Sequence, residues 1–373
     1  MGSLKSYIEI FDGRLGQLNT VAPKVSVIVT NYNYADYVGE CLHSVSQQIY
    51  PEIECIVVDD HSSDGSTAQI RRFLEQDNSS ISYKLVCHET TRGQYAAFRT
   101  GMAHASGAFV VFLDADDLLL PDFVSEHVRV HLSLPPVAFT SSNQYQIDSQ
   151  AQLIGGVHPD LLTQDRYLMI GTVSLHRSFW VWATTSSMMF RRTVLDYALT
   201  DVDEAFRKCA DNYVAHFCNL LGGSILIPTV LGCYRRHQRN TFSNNPLIGG
   251  RLPTGDMRHH PTHALVLDSI RTGLLACHEQ FLSLLGPSGF LHTVSRVTRA
   301  SELWRIRREW KKIIGVAGLP TFISMIGLTF LRTINRRLRN RPPAYTVADL
   351  EGGKRATKVA HYADYQRYRR DAK

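Results

Sequence analysis

Three clusters of polar side chains in the first third of the chain have the types and spacing for chemistry on a charged ligand. Thr30 to Asn33 follow the apolar run Val25 to Val29, Asp59 and Asp60 follow the run Ile53 to Val58, and Asp114, Asp116 and Asp117 close "AFVVFLDADD". Carboxylates gathered beside buried strand ends repel one another and resist desolvation, so the arrangement calls for a compensating partner. Hard carboxylate oxygens suit Mg²⁺ or Mn²⁺. Such ions take one or two protein carboxylates while phosphate and water complete the shell. The step from Asp114 to Asp116 lets one carboxylate reach a cation while its neighbour reaches sugar hydroxyls or an ordered water. Asp117 is expected to cap the segment that follows. A single Asp-x-Asp more often ends a strand and opens a turn, but three polar clusters at successive strand ends favour a ligand site.

These clusters need a scaffold, and the intervening sequence supplies one. "KVSVIVTNYNY", "IECIVVDDHSSDGS", "ISYKLVCHE" and "AFVVFLDADD" read as buried strands. Between them "ADYVGECLHSVSQQ", "TAQIRRFLEQ" and "GQYAAFRTGMAHASG" have helical spacing, with Gly107 expected as a C-cap. Strands alternating with helices imply βαβ units and a parallel sheet covered on both faces. Ligands of such sheets sit beyond the carboxyl ends of the strands, where all three clusters fall. Further on, "VAFTSSNQYQI", "WVWATTSSMMFRR" and "SILIPTVLGCYRRH" look like strands, and "DEAFRKCADNYVAHFCNLLGG" like a helix ending at Gly222 and Gly223.

The segments "VSVIVTNYNYADYVGECLHSVSQQIYP", "ECIVVDDHSSDGS", "TTRGQYAAFRTGMAHASGAFVVFLDADDLLLPD", "ADNYVAHFCNLLGG" and "YRRHQRN" occur in a familiar order. Over residues 24–243 the chain resembles the family 2 glycosyltransferases. The resemblance implies a GT-A fold (α/β, with a Rossmann-like, mostly parallel sheet) and inverting sugar transfer from a nucleotide donor. It implies that Thr30 and Tyr32 hold the base and that Asp60 hydrogen-bonds it, since a carboxylate accepts well from a uracil-type imide N–H. Asp59 is then expected to orient its loop. Asp116 matches the ligand of the cation that bridges the diphosphate, and Asp114 the neighbour at the ribose or beside the metal. Arg92-Gly93 stands where the family often has Asn-x-Gly, and a guanidinium there suits a diphosphate. Asp211 falls where the family carries its catalytic base, usually written Glu-Asp, although Ala210 precedes it here. Such a base takes the acceptor hydroxyl's proton as the oxygen attacks the anomeric carbon, and a cation stabilises the departing diphosphate. "YRRHQRN" resembles the family's Tyr-Arg-x-His-x-x-Asn. Arg235 and His237 there either clamp diphosphate and cation or pin the loop over the site. Trp180 and Trp182 either face a sugar or pack in the core.

The net charge of +6 divides unevenly. Residues 299–373 hold 18 Lys and Arg against 6 Asp and Glu, whereas residues 1–298 hold 22 against 28. An acidic body with a basic tail suggests docking to an anionic surface. Residues 313–331, "IIGVAGLPTFISMIGLTFL", carry no charge and lie between "RIRREWKK" and "RTINRRLRNR". Of spanning the bilayer, lying on it or packing as a buried helix, membrane-surface attachment fits best, because anionic lipid attracts polybasic segments. The final "YADYQRYRRDAK" is expected to be solvated, and without an RNA-binding motif no nucleic acid partner is expected. Seven scattered cysteines without a CxxC pair fit reduced thiols, and the N-terminus does not read as a signal peptide. The expected organisation is an extension over 1–22, a catalytic domain over 23–245, a linker and helical extension over 246–312, an apolar membrane-associated segment over 313–335 and a basic tail over 336–373.

The expected protein is therefore a metal-dependent hexosyltransferase of surface polysaccharide or glycolipid synthesis, in the cytoplasm at the inner face of the cell membrane. Its donor would be a nucleoside diphosphate sugar, with UDP favoured, its ion Mg²⁺ or Mn²⁺, and its acceptor a carbohydrate or lipid-linked hydroxyl. Two other readings are a nucleotidyltransferase that makes the sugar nucleotide and a non-catalytic nucleotide- or membrane-binding module. The first is disfavoured because the loop after the first strand, "TNYNYADY", has neither Gly nor a basic residue to cradle phosphates.

Overall fold

The β-branched run from Val25 forms a strand that is buried along its whole length, and the rest of the sheet assembles around it. The structure is a computed structural model and describes residues 22–155, 166–171, 175, 180, 182–199, 206, 209–237, 240, 261–317 and 347–349. Strand β1 (Val25–Asn31) leads through helix α1 (Val38–Ser46) to β2 (Ile53–Asp59), and α2 (Ser66–Gln76) leads to β3 (Ser82–Cys87). Helix α3 (Gln94–His104) precedes β4 (Phe109–Asp114), followed by β5 (Leu118–Leu119), α4 (Phe123–Ser133), β6 (Phe139–Ile147), β7 (Leu153–Gly155) and β8 (Leu168–Ile170). Then come β9 (Met188–Arg191), α5 (Arg192–Ala198), α6 (Ala210–Gly222) and β10 (Ser224–Arg235). Helices α7 (Pro261–Ala276) and α8 (His278–Ala317) and strand β11 (Val347–Asp349) complete the described elements.

One sheet runs in the order β11-β8-β10-β6-β9-β4-β1-β2-β3. β3, β2, β1 and β4 are parallel, as are β6 and β10, and β9 runs antiparallel between β4 and β6. The antiparallel step restores direction, so the carboxyl ends of all six parallel strands share one edge. The expected α/β architecture, a mostly parallel sheet flanked by helices with a helical C-terminal region, is met.

Side chains on β4 alternate between two cores, as strand geometry dictates. Val110 and Phe112 join Ile28, Phe98, Phe139 and Tyr213 on one face. Val111 and Leu113 join Val27, Leu42, Ile70 and Phe123 on the other. Asp114 continues the first face, and there α3 and α6 begin.

Several local expectations change. Gly107 does not cap α3, whose C-cap is Ala105. Gly107 instead permits a close backbone approach, since a Cβ there would lie 2.6 Å from Ser26 N. "WVWATTSSMMFRR" is a strand only over Met188–Arg191, preceded by a 3₁₀ turn at Thr185–Ser187. Trp182 is fully buried against Phe139, and its indole N–H donates to Ser224 Oγ at 2.8 Å, which draws this stretch out of sheet pairing. The helix expected over "DEAFRKCADNYVAHFCNLLGG" is α6, which begins only at Ala210, because Cys209 before it takes the left-handed conformation (φ 58°). Helix α8 is two segments joined at Gly286 (φ 68°) and Pro287.

Within the region expected as a basic tail, Val347–Asp349 pair antiparallel with β8 at the sheet edge. Among the described residues no helix is long and apolar enough to cross a membrane. Residues 318–346 and 350–373, with most of the expected membrane-associated segment and tail, lie outside the described residues, as do 1–21.

Candidate active site at the carboxyl edge of the sheet

The register places Thr30 of β1 directly beside Asp114 of β4, and Thr30 Oγ1 donates to Asp114 Oδ1 at 3.2 Å. A second donor reaches the same oxygen, Gln94 Nε2, also at 3.2 Å. Burial, then the charges of Asp116 and Asp211, push the Asp114 carboxyl up to about 7, against the opposing hydrogen bonds from Gln94 and Thr30. The Asp211 charge reaches Asp114 because both stand on the same face of the sheet edge. Asp211 lies in the first turn of α6, where a helix N-terminus favours a carboxylate. It is half-buried, and its Oδ1 accepts from Asn212 N–H at 2.9 Å.

Asp116 and Asp117 follow on the turn after β4 and are both buried. Asp116 Oδ2 accepts from His237 Nε2–H at 2.9 Å and from Asn240 Nδ2–H at 3.0 Å. No hydrogen bond among the described residues engages its Oδ1. Asp117 does not cap the following helix, whose N-cap is Asp122. Its Oδ1 instead accepts from Arg235 N–H at 2.9 Å and ties the end of β10 to this turn. Burial, then the Asp116 and Asp114 charges, raise the Asp117 carboxyl well above the usual carboxylate range.

Arg235 is fully buried and its guanidinium is spent on the scaffold. Nε donates to the Asp116 carbonyl at 2.8 Å, Nη1 to the carbonyls of Asp148 and Ser149 at 3.3 and 3.4 Å, and Nη2 to Glu40. Its charge also lies 4.9 Å from the Tyr37 ring centroid. Of the two roles open for Arg235, clamping a phosphate or pinning the loop, these contacts serve the second. His237 stacks on Tyr37 at 4.8 Å and meets Tyr34 edge-on at 5.6 Å, so its ring is aimed at Asp116 by aromatic packing.

On the other flank, Asp59 does orient its loop, with Oδ1 accepting from Asn31 Nδ2 at 2.6 Å and Oδ2 from Ser62 N–H and Thr67 Oγ1. Asp60 is buried and heavily engaged. It accepts from Arg92 N–H and Gly93 N–H at 2.8 Å each and from His88 Nδ1–H at 2.6 Å. A carboxylate offers roughly four lone-pair sites, so about one remains for a base N–H. Gly93 (φ 89°, ψ 173°) occupies a conformation essentially reserved for glycine, which lets the loop present both N–H groups to Asp60. Arg92 is exposed at this rim, and Tyr32, just past β1, is 48% exposed. Asn33, His61 and Cys209 have φ of 59°, 64° and 58°, so strained backbone collects at the same edge.

Thr30, Asp114, Asp116, Asp211 and His237 are thus brought together, Asp60 and Arg92 border them, and Arg235 lies beneath. The tryptophans stand apart: Trp180 and Trp182 pack 6.0 and 5.4 Å from the His216 ring. Sequence reasoning assigned no role to Gln94, His88 or Asn240. Asn240 alone had a signal, as the last residue of "YRRHQRN". Among the described residues no three His, Cys, Asp or Glu side chains are grouped to hold a metal. Asp114 and Asp116 still fit Mg²⁺ or Mn²⁺, which bind through one or two carboxylates when phosphates and water supply the other ligands.

A family model described as "Glycosyl transferase family 2" matches residues 26–190. An uncharacterized glycosyltransferase, alr2836 of Nostoc sp., is 31% identical over 223 residues, covering 58% of this chain and 66% of that protein. WfgD of Escherichia coli, a UDP-Glc:alpha-D-GlcNAc-diphosphoundecaprenol beta-1,3-glucosyltransferase, is 31% identical over 145 residues, covering 39% of this chain and 54% of that protein. Among solved structures, Staphylococcus aureus TarS residues 1–349 align over 82% of this chain and 79% of that chain, with 16% identity and a TM-score of 0.48. The chain therefore spans about two thirds of one of these curated relatives and about half of the other.

Proposed function

The chain belongs to glycosyl transferase family 2, and from that premise we propose that it moves a glycosyl group from a nucleoside diphosphate sugar to an acceptor hydroxyl, with inversion. The observation that carries this reading is the convergence of Asp114, Asp116 and Asp211 at one sheet edge, with the Asp211 charge felt at Asp114. Two acids for a cation and diphosphate stand beside a third, on a helix N-terminus, that is placed to take a proton.

Asp211 acts as the base. The acceptor oxygen bonds to the anomeric carbon as the bond from that carbon to the phosphate oxygen breaks, and the hydroxyl proton passes to the Asp211 carboxylate. A single displacement of this kind inverts the anomeric centre. Asp116 and Asp114 would hold Mg²⁺ or Mn²⁺, which when bound offsets the charge that gathers on the leaving diphosphate. Thr30 fixes the Asp114 carboxylate, and His237 and Asn240 fix that of Asp116. Tyr32 offers an exposed ring to the base, Asp60 its remaining lone pair, and Arg92 an exposed guanidinium to the diphosphate.

A UDP-sugar donor and a lipid-linked saccharide acceptor are supported by the likeness to WfgD, whose name records UDP-Glc and a diphosphoundecaprenol-linked sugar. Such an acceptor suits a protein of polysaccharide synthesis that touches the inner membrane face through its basic C-terminal residues. The test is a panel of nucleotide sugars titrated with and without Mn²⁺. One donor should stabilise the protein only with the ion, and Asp116→Ala should abolish that response. No stabilisation by any nucleotide sugar, or an ion response unchanged in Asp116→Ala, would contradict the reading.

A further inference from the structure

Gln94 touches both halves of the site with one side chain. Its Nε2 donates to Asp114 Oδ1 at 3.2 Å, and its Oε1 accepts from the backbone N–H of Ala210 at 2.9 Å. Ala210 is the first residue of α6 and adjoins Asp211. We infer that Gln94 is a positioning residue whose amide sets where the Asp211 carboxylate stands relative to Asp114, and hence relative to the donor phosphates. The inference rests on the proposed role of Asp211 as base.

The chemistry of the amide matches the two partners. Asp114 offers a carboxylate oxygen, which needs a donor, and Ala210 offers an N–H, which needs an acceptor. Glutamine is the right length and supplies both. Glutamate would keep the acceptor but set a third carboxylate against Asp114 and Asp211. Methionine keeps the shape and supplies neither group.

Helix α6 also needs this contact. The first N–H groups of a helix lack intrahelical partners, and Cys209 at the N-cap is left-handed and makes no side-chain cap. Gln94 therefore caps α6 from a different element. It is itself held firmly: it opens α3 directly after Gly93, and the N–H groups of Arg92 and Gly93 are both bound by Asp60. His88 braces Asp60 in turn and accepts from Thr100 Oγ1 at 2.9 Å through Nε2. Asp60, the loop 92–94, Asp114 and the start of α6 thus form one continuous chain of hydrogen bonds. On this inference a shift of the loop at the nucleotide end is passed on to Asp211, since each joint in the chain is buried or part-buried.

A double-mutant cycle on the full chain tests this, with Gln94→Met, Asp211→Asn and the pair assayed for transfer by single turnover, alongside donor affinity and melting temperature. Misplacing a reacting group by about 1 Å costs roughly 100-fold, so Gln94→Met is expected to lower the transfer rate about 10- to 100-fold while donor affinity stays within about threefold. In the Asp211→Asn background the same change should cost less than about twofold, since there is no base left to misplace. An equal cost in both backgrounds, or a Gln94→Met rate within about twofold of the parent, would overturn the inference. Full transfer by Asp211→Asn alone would instead overturn the base assignment, a different failure with a different signature. If Gln94→Met does not fold, Gln94→Glu carries the test. It keeps the acceptor for Ala210 and is expected to lose at least about tenfold in rate, and an unchanged rate would overturn the inference.

Discussion

His237 Nε2 stands 2.9 Å from Asp116 Oδ2, so the segment after β10 closes on the acid proposed as the cation ligand. Aromatic packing on Tyr34 and Tyr37 aims the imidazole, and Asn240 shares the same carboxylate oxygen. Partners that orient a metal-binding carboxylate commonly contribute 10- to 100-fold in metal affinity. His237→Ala is expected to raise the Mn²⁺ concentration that half-saturates transfer by about tenfold or more. A half-saturating concentration equal to that of the parent would show that His237 does not act through Asp116.

Arg235 is predicted to matter for stability before it matters for catalysis. Its four N–H contacts run to Asp116, Asp148, Ser149 and Glu40, and its charge faces the Tyr37 ring. Lysine keeps the charge and loses the planar fork. Arg235→Lys should therefore cost about 1–3 kcal/mol in urea unfolding, through carbonyls left without donors. Donor affinity measured well below the transition should change by less than about threefold, far short of what losing a direct phosphate contact costs. A stable variant with collapsed donor binding would return Arg235 to the role of phosphate clamp.

Asp114 gives the ligand-free protein a pH dependence of known sign. Its carboxyl is pushed up to about 7 by burial and by the charges of Asp116 and Asp211. A raised carboxyl stabilises the fold below its unfolded value near 4, and that contribution is lost as pH climbs to about 7. Asp114→Asn keeps an acceptor for Thr30 and Gln94 and removes the charge. The variant should match the parent near pH 4 and exceed it by about 1–2 kcal/mol at pH 8, a figure reduced because Asp114 keeps some surface open to the cleft. It should also be inactive in transfer. A stability difference that is flat between pH 4 and pH 8 would remove the repulsion from this picture.

The parts of this site that could be read in the sequence are those written into single strands. Val25 to Val29, Ile53 to Val58 and Phe109 to Leu113 are apolar runs that must be buried, and the polar residue ending each run has to emerge at the sheet edge. What could not be read depends on contacts far apart in the chain. An amide at residue 94 that bridges residues 114 and 210 leaves no periodic trace. The sequence leaves Arg235 open between clamping a diphosphate and pinning the loop, because a basic cluster gives no clue to which member turns inward. Gly107 looked like a helix cap because a glycine after a helix usually is one, whereas here the constraint is the nearness of β1. "WVWATTSSMMFRR" has strand composition throughout, yet burial of Trp182 against Phe139 takes its first half out of the sheet.

The basic C-terminal residues give a prediction independent of the catalytic site. Arg336, Arg337, Arg339 and Arg341 fall within ten positions of the uncharged stretch 313–331. Near an anionic lipid surface each basic residue contributes about 1 kcal/mol. Replacing these four by Gln should abolish flotation with anionic liposomes and leave neutral liposomes unbound as before. Undiminished flotation would reject membrane contact through this cluster.

The most direct test of the central claim, that Asp211 takes the acceptor's proton beside the Asp114 and Asp116 pair, is a side-by-side measurement on Asp211→Asn of donor affinity and transfer rate at saturating Mn²⁺. The account predicts donor affinity within about threefold of the parent and a transfer rate lower by about 100-fold or more, the range that general-base catalysis supplies. Transfer at the parental rate, with donor binding intact, would contradict it.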